Sequence, residues 1–223
     1  MAGCMAALLL LRTGVICWSG VEAASTFLPA QATSAAHTEI GFPTAIPGTD
    51  LLAMRLGCYE GPFLEDGTGR NVFNTALLEV KNTGSCMIRR AVIRLAAGEC
   101  AYVFELTFLP PGETVLVLEK NGRPCGEAVI TEIEGTQENA QKDTGLSEFS
   151  VTDLQIGMTR ITNRSAKDFS DLRIYYKSSL GEDAYLVGGI THTYPLQDLK
   201  AGESVIVNLP NYAMGGSRIV AIQ

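Results

Sequence analysis

The sequence predicts an all-β protein: two tandem small antiparallel β-sandwich domains after an N-terminal signal segment. Three observations predict it. First, the chain repeats itself. Leu77-Leu78-Glu79-Val80-Lys81-Asn82-Thr83-Gly84 aligns without a gap on Met158-Thr159-Arg160-Ile161-Thr162-Asn163-Arg164-Ser165, an offset of 81. The match continues through Ala91, Ile93 and Leu95 against Leu172, Ile174 and Tyr176. It returns at Gly112–Val117 against Gly202–Val207, now at an offset of 90. An internal repeat means one small unit used twice. Second, apolar residues after the leader alternate or run in short blocks between Gly, Pro, Asn and Asp, the pattern of strands and turns. Third, the 14 residues of EGTQENAQKDTGLS (134–147) are polar as far as Leu146 and read as a joint between two bodies.

In chain order, residues 1–23 read as a signal peptide. Ala6 to Leu11 is apolar, Arg12 interrupts, and Val21-Glu22-Ala23 places small residues where a signal peptidase cuts. The alternative is an uncleaved membrane anchor. Neither apolar stretch reaches the ~20 residues a bilayer needs, and Arg12 at mid-span would cost roughly 2.5–3.5 kcal/mol. Residues 24–47, rich in Ala, Ser, Thr and Pro, read as a flexible tether.

The first β-sandwich domain is expected at 48–134, with strands near Leu51–Cys58, Val72–Asn82, Met87–Leu95, Ala101–Leu109, Thr114–Lys120 and Ala128–Ile133. Asn82-Thr83-Gly84-Ser85 and Asn121-Gly122 are turn sequences that accept a positive φ. Residues 135–147 form the expected linker. A polar joint of this kind predicts modest contact between domains and a variable relative orientation. The second domain, 148–223, carries strands near Phe149–Gly157, Met158–Thr162, Asp171–Ser178, Tyr185–Tyr194, Ser204–Leu209 and Arg218–Gln223. Its nine extra residues fall between Tyr176 and Gly202. Six short strands with a turn every 8–12 residues suit a sandwich of immunoglobulin type; a small barrel is the competing all-β architecture. The alternation places Ala91, Ile93 and Leu95, and again Leu172, Ile174 and Tyr176, on the buried face.

The net charge is −7, of which 48–134 holds −4 and 148–223 holds −1. No stretch is strongly basic, which argues against nucleic acid or an anionic membrane as a partner. A membrane contact is expected only if the N-terminal segment stays uncleaved.

Cys4 and Cys17 belong to the leader. Cys58, Cys86, Cys100 and Cys125 remain, all in the first domain. Exported chains oxidise such cysteines in pairs. Counting strands as alternately up and down puts Cys58, Cys100 and Cys125 at one end and Cys86 at the other. The expected bridge joins Cys125 to Cys58 or to Cys100 and leaves Cys86 as a thiol. Either closure stabilises by roughly 3.5–4.5 kcal/mol in the chain-entropy model. The alternative is four reduced cysteines. No CxxC pair occurs, so no metal is expected.

No catalytic constellation, cofactor motif or metal set stands out. His37 lies in the tether, and His192 alternates with Ile190 and Tyr194 on an expected strand. Gly61–Gly69 and Gly188-Gly189 lack the lysine and the strand–helix setting of a phosphate loop. Glu65, Asp66 and Arg70 sit around Gly67 and Gly69 in the candidate interaction loop, which has too few alternating oxygen ligands for calcium. Asn163-Arg164-Ser165 is formally a glycosylation acceptor. Its repeat mate Asn82 forms no such site, which favours a turn.

Ile161–Asn208 resembles the FxLYD-type repeat of secreted bacterial proteins, an immunoglobulin-like β-sandwich. The matching pieces are the strand ending at Asn163, then Phe169-Ser170-Asp171-Leu172-Arg173-Ile174-Tyr175-Tyr176, then Leu199-Lys200-Ala201-Gly202-Glu203-Ser204. The first unit follows with Ile88-Arg89-Arg90-Ala91-Val92-Ile93 and Leu109-Pro110-Pro111-Gly112-Glu113, where Ile88 or Met87 replaces the opening aromatic. The Tyr-Asp of the family stands here as Tyr175-Tyr176 and as Arg94-Leu95. The resemblance implies a sandwich fold and an extracytoplasmic, non-catalytic role, and it transfers no functional residue. The expected function is an exported binding or structural module whose partner is a protein or glycan at the cell surface. Two alternatives remain: an accessory or inhibitor subunit of a surface machine such as a pilus or secretion apparatus, and an enzyme using His192.

Overall fold

The computed structural model describes residues 15–17, 39–126, 129–140, 144–155, 157–179, 186–214 and 216–223. Among them the regular structure is strand, apart from one 3-10 turn at Leu146–Glu148. The strands are β1 (Val15–Cys17), β2 (Thr44–Ala45), β3 (Leu51–Pro62), β4 (Asn71–Asn82), β5 (Ile88–Ala97), β6 (Cys100–Leu109), β7 (Thr114–Leu118), β8 (Ile130–Asn139), β9 (Phe149–Gln155), β10 (Met158–Asn163), β11 (Phe169–Ser179), β12 (Leu186–Leu199), β13 (Ser204–Asn208) and β14 (Arg218–Ile222).

The first half stacks β3–β4–β7 on β6–β5–β8. Between them lies one apolar core, with Leu78, Val80, Val115 and Val117 facing Ala91, Ile93, Leu95, Phe104 and Leu106. The second half stacks β9–β10–β13 on β12–β11–β14. Its core brings Ile161 and Val207 against Leu172, Ile174, Tyr176, Leu196 and Ile222. The strand order is the same in both halves, as the repeat requires: β4 answers to β10, β5 to β11, β6 to β12 and β7 to β13.

The repeated Asn explains why the two halves fold alike. Asn82 is fully buried. Its Nδ2 donates to the carbonyls of Cys86 (2.9 Å) and Leu109 (3.0 Å), and its Oδ1 accepts from the Gly84 N–H (2.9 Å). Its own N–H donates to the Glu113 carbonyl, and its carbonyl accepts from the Gly112 N–H. Asn163 repeats the arrangement. Its Nδ2 donates to the carbonyls of Lys167 (2.7 Å) and Lys200 (3.0 Å), its Oδ1 accepts from the Ser165 N–H (2.9 Å), and its backbone pairs with Glu203 and Gly202. One buried amide thus ties each strand end to two turns and satisfies carbonyls that would otherwise be orphaned. The Asn163 amide is consumed inside the protein, so this Asn-x-Ser is a turn.

Three expectations need correction. Residues 39–47, expected as tether, are folded: Ile46 is buried, Ile40 and Phe42 lie against the first core, and the Ile40 N–H donates to the Ile130 carbonyl. Apolar residues two apart among Gly and Pro were the signal of that short strand. The rest of the tether, including His37, lies outside the described residues, as does the expected signal segment except β1. The linker also begins later than expected. β8 continues to Asn139, paired with Ile88. It reads as polar because it is an edge strand: Gly135 lies under Ile46 and Thr49, and the Gln137 side chain accepts from the Asp50 N–H. Finally, the halves are not loosely tethered. β7 and β12 pair in parallel, Val115 with Leu186 and Leu116 with Val187, so sheets of the two halves become one. The insertion between Tyr176 and Gly202 supplies the reach, because it lengthens β12 to 14 residues.

Candidate functional site: the seam between the halves

The loop after β3 is closed on itself. The Phe63 N–H donates to the Arg70 carbonyl (2.6 Å), and the Gly69 N–H donates to the Phe63 carbonyl (3.1 Å). Gly67 and Gly69 hold φ of 70° and 62°, the left-handed values that favour glycine. The loop divides the three residues expected to act together. Asp66 and Arg70 face out and pair with each other at 3.1 Å, and Arg70 also lies 4.9 Å above the Phe63 ring. Hydrogen bonds from Thr68 hold the Asp66 carboxyl below the usual range. Glu65 turns the other way, into the seam.

The Glu65 carboxylate accepts three backbone N–H bonds: Leu118 (2.9 Å), Gly189 (2.8 Å) and Ile190 (3.2 Å). The same two residues of β12 bind a cation on their carbonyl side. Lys177 Nζ donates to the Gly189 carbonyl (2.7 Å) and the Ile190 carbonyl (3.2 Å). One peptide segment is therefore gripped from both sides, by a carboxylate of the first half and an ammonium of the second. Charge-assisted bonds of this kind are roughly twice as strong as neutral ones. Burial raises the Glu65 pKa, against the pull of the three N–H groups and of Lys177. Burial pushes Lys177 down to about 7, with the Glu65 charge opposing.

The glycines make the grip possible. A Cβ on Gly189 would stand 1.8 Å from the Glu105 carbonyl oxygen of β6. Gly188 has φ of 87°, and a Cβ there would press on Leu64 at 3.2 Å. These two glycines admit the backbone of one half against the other. Around them Thr107 donates to Thr191 (2.9 Å), Phe108 stacks on Tyr175 at 4.7 Å, and Arg218 pairs with Glu113. Phe63, Leu64, Leu77, Leu116, Leu118 and Val187 form a third apolar cluster that spans the seam.

His192 stands beside this cluster of groups. Its ring stacks on Tyr176 at 5.2 Å. Its pKa is lowered first by burial, then by the charge of Lys177. A general base is ordinarily oriented and supported by a carboxylate; the ionic neighbour acting on His192 is a cation.

Cys125 bonds to Cys58, with Cα atoms 5.5 Å apart; Cys86 and Cys100 are free and exposed. The Cys125 segment is held independently, its N–H donating to the Asn74 carbonyl (2.6 Å). Among the described residues no group of three or more His, Cys, Asp or Glu gathers to hold a metal, and no helix is long and apolar enough to cross a membrane.

Sequence reasoning missed Lys177 altogether. It lies on the outward parity of β11 with Arg173 and Tyr175, the side taken as solvent-facing. One available signal was the pair of large aromatics, Phe108 and Tyr175, at outward positions. No family model, curated protein or solved structure matches the chain.

Proposed function

We propose that the protein is an exported, non-catalytic binding or structural module of two immunoglobulin-like sandwiches, acting at the cell surface or in the medium on a protein or glycan. The observation that carries this reading is the engagement of its strongly perturbed buried ions. Glu65 and Lys177, the groups that a catalytic site would use, are both engaged by backbone partners, and Glu65 ties the first half to Gly189 and Ile190 of the second. The Cys58–Cys125 disulfide supports an oxidising, extracytoplasmic address. The likeness of Ile161–Asn208 to FxLYD-type repeats supports the same place and role. Two joined sandwiches present a long, fixed surface, which suits a partner bound at more than one point.

The test is retention of cell-surface extracts and a glycan panel on immobilised protein, with His192→Ala beside the wild type. The reading expects a saturable partner retained equally by both. A panel that retains nothing, or an activity lost in His192→Ala with the melting curve intact, overturns it.

A further inference from the structure

We propose that the outer edge of β3 at Cys58, Tyr59 and Glu60 is a strand-acceptor site whose occupant is the chain's own Val15–Cys17. One flank of β3 is fully taken, since β4 pairs along it from Leu51 with Asn82 to Pro62 with Asn71. The other flank is filled in two short pieces. β2 covers Leu52 and Ala53, and β1 runs antiparallel opposite Cys58, Tyr59 and Glu60. β2 arrives there because it is close to β3 in sequence. β1 does not: residues 18–43 separate it from β2. A connection of that length spans up to about 85 Å when extended, while the stretch of β3 between the two pieces covers only about 16 Å. The connection therefore does not force the pairing; the edge of β3 attracts it.

That edge is prepared for a strand. Register breaks in the β3–β4 ladder fall at Ala53/Arg55 and at Tyr59/Gly61. The first lies between the β2 and β1 pieces, and the local twist that a bulge adds divides the edge, leaving Cys58–Glu60 as a separate acceptor stretch. The stretch is rigid. Cys58 is tied to Cys125 by the disulfide, and Tyr59 is 1% exposed with its hydroxyl donating to the Pro62 carbonyl at 2.9 Å. A fixed row of backbone donors and acceptors binds an incoming strand without an ordering cost of its own. The β-branched Val15 and Ile16 suit that strand. The site thus takes an extended, antiparallel, β-branched apolar segment. On the export reading proposed above, removal of the leader withdraws β1 and opens the same edge to a partner's strand of that chemistry.

Hydrogen exchange of the full chain tests this, read on peptides covering residues 57–61. Val15→Pro and Ile16→Pro are each compared with wild type. N–H groups of successive strand residues point to opposite sides, so one of the two prolines removes a ladder bond. The expected result is exchange at 57–61 faster by about tenfold or more in at least one variant, with β4 and β10 unchanged. A synthetic peptide of residues 13–19 then restores protection. Equal exchange in all three chains overturns the proposal. So does protection that rises with protein concentration, which assigns the strand to a second copy. N-terminal sequencing of exported material tests leader removal separately, so the two readings fail independently.

Discussion

The two halves share their connectivity and their Asn anchor, yet their repeat-equivalent sheets face opposite surroundings. In the first half the outer face of β3–β4–β7 is closed: Leu77 and Leu116 are at most 1% exposed beneath Phe63, Leu64 and Val187. In the second half the equivalent face of β9–β10–β13 is open. Ile206, the counterpart of Leu116, is 49% exposed, and Arg160, the counterpart of the buried Glu79, points into solvent. Glu79 instead pairs with Arg55. The difference teaches that the repeat specifies an interior and a pair of anchored turns, while the outer face is free to diverge. One outer face became a joint and the other remained a surface.

The sharpest way to break this comparison is Gly189→Ala. Its Cβ would enter the Glu105 carbonyl, so the seam must part; the expected loss is about 4 kcal/mol or more, with the halves melting in two steps instead of one. Calorimetry reads the number of transitions, and a single unshifted transition contradicts the role given to Gly189. Next in size is the matched pair Leu116→Ala and Ile206→Ala. The first is expected to cost about 2–5 kcal/mol and the second to stay within about 0.5 kcal/mol in urea titrations. Equal losses would show that the two faces are equally closed. Asn82→Ala and Asn163→Ala, by contrast, should cost the same, about 2–3 kcal/mol each, because each removes an equivalent set of buried bonds. Exchange resolved by half would place each loss in its own sandwich.

The last effect is one of pH. Lys177 has a folded pKa of about 7 against 10.5 in the unfolded chain. Between those values the unfolded state binds more protons, so stability rises with pH through that window. Glu65 is shifted the other way: its raised pKa makes the folded state bind more protons just above 4.5, so its contribution falls as pH climbs there. Lys177→Met should abolish the rise of the urea midpoint between pH 7 and 10. The raised pKa values of Tyr59 and Tyr176, about 12, lie above that window. A rise that survives in the variant assigns it to other groups.

Much of the strand inventory was legible. Twelve expected strands from Leu51 onward have counterparts in the structure, and the inward rows Ala91-Ile93-Leu95 and Leu172-Ile174-Tyr176 are buried. These were readable because a period of two separates an apolar side from a polar one. The same period says nothing about what covers the second side. The run Val115–Leu118, and the shorter Ala76-Leu77-Leu78, were apolar on both parities, the mark of a strand buried on both faces, and they pointed to the seam. Lys177 concealed it, since a lysine on the outward parity ordinarily marks solvent. The bridge was legible only as far as an end of the sandwich, because strand counting gives the end but not which of Cys58 and Cys100 lies across from Cys125.

The parallel pairing of β7 with β12 has a consequence for biosynthesis. Leu116 is made some seventy residues before Val187, its partner across the seam. At about 5–20 residues per second, the newborn first half waits about 4–14 s with that apolar flank only partly covered, by its own Phe63 and Leu64. In that interval the flank is open to other apolar surfaces, so any holdase dependence is expected to fall on the N-terminal half.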